Sequence, residues 1–201
     1  MPRTTEQNEA LRTSTRRAVQ TAAVRMFAHH GYAATNMRQI ATKAGISTGS
    51  IYRHYASKEE LFDELIDQAS RGLGTAAVQF SNDGDPLSMI RTFTEDYVAD
   101  LAANNGAAEF YLMVGQCVTT DTPEGTSSRL ASAQRATRQA FASLIARGQD
   151  KGQIAQGDCA QLTAHYFAML TGITTMHVGL GEESARPDVD LILRVLIGGP
   201  Q

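Results

Sequence analysis

The stretch from Thr35 to Leu61, TNMRQIATKAGISTGSIYRHYASKEEL, constrains this chain more than any other. Met37, Ile40, Ala41 and Ala44 fall at i, i+3, i+4 and i+7, one face of a helix. Thr35 is positioned to cap that helix, and Gly45 to end it in a left-handed conformation. Ser47 is placed to cap a second helix that turns Ile51 and Tyr55 inward. Ser57 with Glu60 three residues on is a capping box that opens a third. Two short helices joined by a tight glycine turn predict a helix-turn-helix.

The outward residues of the second helix are Thr48, Gly49, Ser50, Tyr52, Arg53 and His54. Short hydroxyls, an aromatic ring and cations are the groups a helix carries into a major groove. Arg53 is the candidate reader of a guanine edge. Lys58, at the start of the third helix, and Arg16 and Arg17, near the start of the first, are candidate phosphate contacts. Met37 and Arg38 complete the DNA-facing set. The competing reading of this face is an ordinary solvated helical hairpin.

Charge separates the two readings. Residues 1–58 hold nine Lys or Arg against two acids, a net of +7; the rest holds nine against nineteen, a net of −10. A basic head on an acidic body fits a polyanion bound at one end only.

Phe27, Gly31, Thr35, Ile40, Ala41, Ala44, Gly45, Ile46, Ser47, Gly49, Ile51, Tyr52, His54, Tyr55, Ser57, Lys58, Glu59 and Leu61 together resemble the TetR family of bacterial transcriptional regulators, at fixed spacing over roughly residues 12 to 65. Thr48 stands where that family frequently has Lys or Arg. The resemblance implies an operator-binding head and a helical body that takes an effector and dimerises.

The remainder reads as helices throughout. The first runs over about 15–30, after a frayed tail in which Arg3 or Arg12 is a candidate minor-groove arm. A long helix over about 58–80 is followed by others near 86–104, 107–118, 128–151, 158–178 and 188–197. The expectation is an all-α fold of about nine helices, with a DNA-binding domain over 1–58 and a ligand-binding and dimerisation domain over 59–201. No strand is predicted, and no run of about 18 apolar residues predicts a membrane span. Without a signal peptide, the chain is expected in the cytoplasm. Cys117 and Cys159 lie in apolar helical patterns and are expected as buried free thiols.

No HExxH, GxSxG, P-loop or GxGxxG motif is present, and His165 and His177 are twelve residues apart. Neither an enzyme, a metal nor a cofactor is expected. The inner stripes of the body carry Tyr97, Phe110, Met113, Cys117, Thr137, Phe141, His165 and Met169, apolar walls with sparse polar groups. They are the candidate pocket for a small, largely apolar or aromatic effector; the alternative is a filled core.

The helix over 158–178 has a bulky stripe, Leu162, Tyr166, Met169, Ile173 and Met176, expected inside. Its small stripe, Ala164, Ala168, Thr171, Gly172 and Thr175, together with Leu191 and Leu193 of the last helix, is the candidate homodimer interface. The whole predicts a repressor released by its effector from a palindromic double-stranded operator. The alternatives are an activator, or a helical ligand-binding protein or enzyme with an inert head.

Overall fold

Helix-stop chemistry divides the chain where the periodicity places its breaks. In the computed structural model, which describes residues 5–197, the helices are α1 (Thr5–Ala34), α2 (Met37–Lys43), α3 (Thr48–Ile51), α4 (Lys58–Ser81), α5 (Pro86–Ala102), α6 (Ala107–Thr120), α7 (Thr126–Asp150), α8 (Cys159–Leu180) and α9 (Val189–Ile197). Among the described residues there is no strand, and no helix is long and apolar enough to cross a membrane. The chain forms two compact units that divide inside α4, between Asp67 and Gln68, rather than at its start.

In the first unit α1 is interrupted at Gly31, whose φ of 77° and ψ of 162° take it out of the helix. Phe27 packs edge-on against Phe62 of α4, with ring centroids 5.6 Å apart, and Tyr32 closes the trio at 4.9 Å from Phe62. Val19, Ala23, Ile40, Ala41, Ile51, Leu61 and Leu65 fill the space beneath α2 and α3, all essentially without solvent contact.

Three expectations about this unit are corrected. The helix begins at Thr5, not near Thr15, so the segment read as a frayed tail is helical from there on; Arg3 lies outside the described residues. Asn36, not Thr35, caps α2: its side chain accepts from the Gln39 amide while Gln39 accepts from the Asn36 amide, a complete capping box. Thr35 is buried instead, and its hydroxyl donates to the Gly31 carbonyl at 2.8 Å, sealing the end of α1. Finally, α3 ends at Ile51; residues 52–54 continue as a turn in which the Arg53 and His54 amides donate to Ser50 and Ile51.

In the second unit α7 packs on α8, α6 packs on both, and α9 lies against α5 and α8. The core joins Phe80, Ile90, Val98, Phe141, Leu144, Tyr166, Leu170, Ile192, Leu193 and Leu196. An ion pair between Arg91 and Asp190 links α5 to α9, and the Ala155 amide donates to the Leu196 carbonyl at 2.8 Å. Leu193 is therefore not an interface residue: it is completely buried in its own body, because α9 turns Ile192, Leu193 and Leu196 inward together. Met176, expected inside, is 62% exposed. Cys117 is buried and its thiol is pushed up to about 11 by burial; Cys159 is only half-buried, and its thiol donates to Gln149.

Candidate nucleic-acid interface

The recognition segment starts at Ser47, whose hydroxyl accepts from the Ser50 amide at 3.1 Å and so fixes the first turn of α3. Gly45, at φ +71°, makes the turn from α2 that an L side chain would strain. Ile51 and Tyr55 are buried, which leaves Thr48, Gly49, Tyr52 and Arg53 exposed on the opposite side. Tyr52 is 52% exposed. Ser50 and His54 are half-buried at the margins of this face, and Arg17 and Arg38 are exposed on α1 and α2.

Three members of the expected DNA-facing set are occupied within the unit. Met37 is buried, because the first position of α2 turns into the core with Ile40 and Ala41. Lys58 points its ammonium back into the protein: Nζ donates to the Tyr32 and Thr35 carbonyls, each at 2.9 Å, and lies 4.1 Å from the centre of the Tyr32 ring. The Tyr32 phenol donates in turn to Glu59 at 3.0 Å. Arg16 forms a two-pronged ion pair with Glu64, in which Nε donates to Oε1 at 3.3 Å and Nη2 to Oε2. This bond, ahead of the opposing effect of burial, raises the Arg16 pKa.

His54 has a lowered pKa, from burial first and then from the charges of Arg12, Arg16 and Arg53. Its Nδ1 is buried without a hydrogen-bond partner. The segment thus presents hydroxyls, a phenol and one fully outward guanidinium on a short, rigid support. The residues that sequence reasoning missed are Glu64, Gln20 and Tyr32. Their sequence signal is faint: each occupies an ordinary helical position, and only the fold brings Gln20 Nε2 within 3.1 Å of Glu64.

In the second unit Phe141, Tyr97 and Met169 of the candidate pocket residues gather at one aromatic cluster. Phe141 stacks on Tyr166 with centroids 4.7 Å apart and meets Phe80 edge-on at 5.1 Å. Tyr97 and Met169 pack at the border of the same core. Tyr97 also stacks on Tyr111 at 4.9 Å, and Tyr111 bonds the Asp100 carboxylate. Met113, Cys117 and Thr137 are buried and Phe110 is half-buried. The Thr137 hydroxyl donates to the Leu73 and Ala133 carbonyls. His165 is corrected: it is exposed on the outer face of α8, where Nδ1 pairs with the Gln161 carbonyl at 2.8 Å. It shares that face with Ala164, Ala168, Thr171, Gly172 and Thr175, all exposed, as is Leu191 on α9. Among the described residues no cluster of His, Cys, Asp or Glu has the arrangement to hold a metal.

Comparison with known proteins places this geometry. Residues 21–65 match the model of the bacterial regulatory proteins of the tetR family. The regulator AcrR of Shigella flexneri is 33% identical over 79 residues, 38% of this chain and 37% of that protein. The repressor KstR2 of Mycobacterium tuberculosis is 57% identical over 44 residues, 22% of each chain. The chain therefore spans well under half the length of the curated relatives it matches. Solved structures extend the likeness of fold: the MbdR regulator of Azoarcus aligns with a TM-score of 0.73 over 93% of this chain and 99% of its own, at 19% identity. KstR2 itself aligns at 0.67 over 92% and 95%, at 20% identity. Over residues 21–65, the head with its helix-turn-helix and recognition segment is similar to that of the bacterial regulatory proteins of the tetR family, and the rest of the chain shares the fold of regulators solved at about 20% identity.

Proposed function

We propose that the protein is a sequence-specific DNA-binding transcriptional regulator, acting as a repressor that a small effector releases from its operator. The observation that carries this reading is the division of labour in residues 47–55. Ile51 and Tyr55 are turned inward, while Thr48, Gly49, Tyr52 and Arg53 face solvent on a capped, glycine-hinged support. The +7 balance of residues 1–58 supplies the attraction to phosphate. The relative KstR2 is named a repressor, which favours that sign of control here.

A single head reads too few base pairs for useful specificity, so two copies related by a two-fold axis bind a palindrome with half-sites about 34–36 Å apart. The outer face of α8 and α9 supports the dimer. Ala164, Ala168, Thr171, Gly172 and Thr175 lie open there, and Met176, Leu180 and Leu191 are each at least half exposed. Small residues allow a partner helix close approach, and the large apolar ones gain from being covered. Ala168→Glu then gives a folded monomer that loses operator binding.

The effector enters among Tyr97, Phe110, Met113, Cys117, Thr137, Phe141 and Met169. Because Phe141 and Tyr166 fill the centre of that region, binding requires the aromatic cluster to repack. The effector works by population shift, favouring a body geometry in which the two heads are wrongly spaced; a coupling of about 1–3 kcal/mol weakens operator binding roughly 5–150-fold.

The deciding experiment is selection from a randomised duplex pool by the wild-type protein, followed by gel shift at fixed salt. Enrichment of an inverted repeat supports the reading. No sequence retained above random DNA overturns it in favour of a ligand-binding body with an inert head. A thermal-shift screen of apolar and aromatic compounds then finds the effector, since a ligand at 100 times its Kd adds about 2.7 kcal/mol.

A further inference from the structure

Arg16 makes three different contacts with one guanidinium. Nε and Nη2 grip both oxygens of Glu64 on α4. Nη1 donates to the His54 carbonyl at 3.4 Å, and the guanidinium carbon lies 4.5 Å from the centre of the Tyr55 ring. Gln20, one turn along α1, donates to Glu64 Oε1 at 3.1 Å and fixes the carboxylate from the other side. The side chains of Arg16 and Glu64 are only 38% and 28% exposed.

His54 and Tyr55 close the turn that follows α3, immediately after Tyr52 and Arg53. Within that turn the backbone is held only by short-range bonds, from Arg53, His54 and Tyr55 back to Ser50 and Ile51. A four-residue helix has little stability of its own. Its far end is held by the burial of Ile51 and Tyr55 and by what grips the His54 carbonyl and the Tyr55 ring; the Arg16 guanidinium, itself fixed by Glu64, grips both.

We infer that Arg16 and Glu64 are positioning residues for operator recognition: the pair holds the end of the recognition segment through the His54 carbonyl and the Tyr55 ring, and neither side chain is a DNA contact. The inference rests on the DNA-binding reading above. It departs from the phosphate contact that the sequence suggested for Arg16, because three of the five N–H donors of the guanidinium, including the pair that would fork onto a phosphate, are already committed to Glu64 and His54.

The sign of one substitution separates the possibilities. Glu64→Gln keeps the shape of the side chain but removes a negative charge from the basic head. If Arg16 binds phosphate, that change frees it, strengthens binding to all DNA and steepens the salt dependence. If the pair positions the segment, the same change weakens specific binding. Arg16→Lys keeps the charge and loses the planar fork, so it preserves a phosphate contact but not the clamp.

The test uses the full chain and a duplex selected from a randomised pool by the wild-type protein, with a random duplex as control. Circular dichroism first checks that each variant is folded. Both variants are expected to bind the selected duplex at least about tenfold more weakly, the equivalent of one misaligned base contact, with random-duplex affinity and salt slope unchanged. Amide exchange at residues 53–55 is expected to quicken in both. Tighter binding by Glu64→Gln with full retention by Arg16→Lys overturns the inference in favour of a phosphate contact. A lower melting midpoint with unchanged affinity and unchanged exchange at 53–55 overturns it in favour of simple stabilisation. Should Arg16→Lys not fold, Glu64→Gln alone decides. A wild-type protein that enriches no duplex fails the DNA-binding reading instead, and the exchange rates then judge the clamp separately.

Discussion

The two units differ in how they keep their buried polar groups, although the margin of the body also has charged clamps, Arg147 on the Asn82 and Phe80 carbonyls and Arg91 on Asp190. In the head, charged side chains bond backbone and one another across elements: Lys58 on the carbonyls of Tyr32 and Thr35, Arg16 on Glu64 and on His54. In the body the buried polar groups are hydroxyls threaded through aromatic packing. Thr94 donates to the Ile90 carbonyl, so at 2.7 Å from Tyr166 it accepts that phenol's proton; Tyr97 reaches Thr174 and the Leu170 carbonyl. Charged clamps are directional and fix a small unit in one geometry. Hydroxyls among aromatic rings tolerate repacking, because each keeps a partner while the rings slide. On the proposed function, a head that presents four exposed groups at fixed spacing and a body that admits an effector call for that contrast.

The largest expected effect tests the body's reliance on packing. Phe141 has no solvent contact and touches Phe80, Tyr166 and Phe167. Phe141→Ala is expected to destabilise the protein by about 3–5 kcal/mol. Chemical denaturation followed by tyrosine fluorescence measures it; a loss below about 1 kcal/mol means the cluster closes over the gap, and the body is softer than its packing implies.

The head's reliance on charge is tested next. Lys58→Met keeps an aliphatic side chain of similar length and removes both bonds to carbonyls and the ammonium over the Tyr32 ring, for an expected cost of about 1.5–3 kcal/mol. In DNA titrations its salt slope is expected to match the wild type. A slope smaller by about 0.9 would return Lys58 to the phosphate contacts.

A smaller effect is expected at the cap of α2. Asn36→Ala removes one half of the capping box and should cost about 1 kcal/mol, whereas Thr35→Val, which deletes the buried hydroxyl that seals α1, tests the residue the sequence pointed to first. Equal urea midpoints for Asn36→Ala and the wild type would show that packing of Met37 and Ile40 alone holds α2 in place.

The same contrast governs what was legible in the sequence. Helix starts were readable where one local cap stood without a rival: Ser47, Asp85 and Asp158 each bond an amide three residues on, and the helices they open start where expected. Thr35 misled because Thr and Asn are adjacent and both cap; which one does depends on whether the hydroxyl is claimed by Gly31, a tertiary fact. Lys58 and Arg16 misled for a related reason. A basic residue on a basic surface reads as a phosphate ligand until the fold reveals carbonyls or a carboxylate within reach. In the body, Met176 misled because α8 is apolar on more than one face, so periodicity cannot orient it; Leu193 misled although the exposed Asp190, Leu191 and Arg194 mark the outer side of α9.

The smallest expected effect concerns pH, and it belongs to the head. Protonating His54 places a fourth cation beside Arg12, Arg16 and Arg53 and asks a half-buried ring to carry charge. The folded protein therefore holds His54 below its ordinary value of 6.5, with burial the first cause and the three arginines the second. A histidine whose folded pKa is depressed favours the folded state while it is neutral. Its contribution is complete above 6.5 and is lost as pH falls from there through the lowered folded value, because the unfolded chain then takes up the proton more readily. The urea midpoint of the wild type is expected to decline over that window, and His54→Gln, which cannot titrate, is expected to flatten the decline. Because the Arg16 bond to the His54 carbonyl sits beside the ring, recognition should soften in the same window and in the same direction. Parallel pH profiles for the wild type and His54→Gln would mean that the ring turns outward to take its proton in water, and that the arginines around it do not govern its charge.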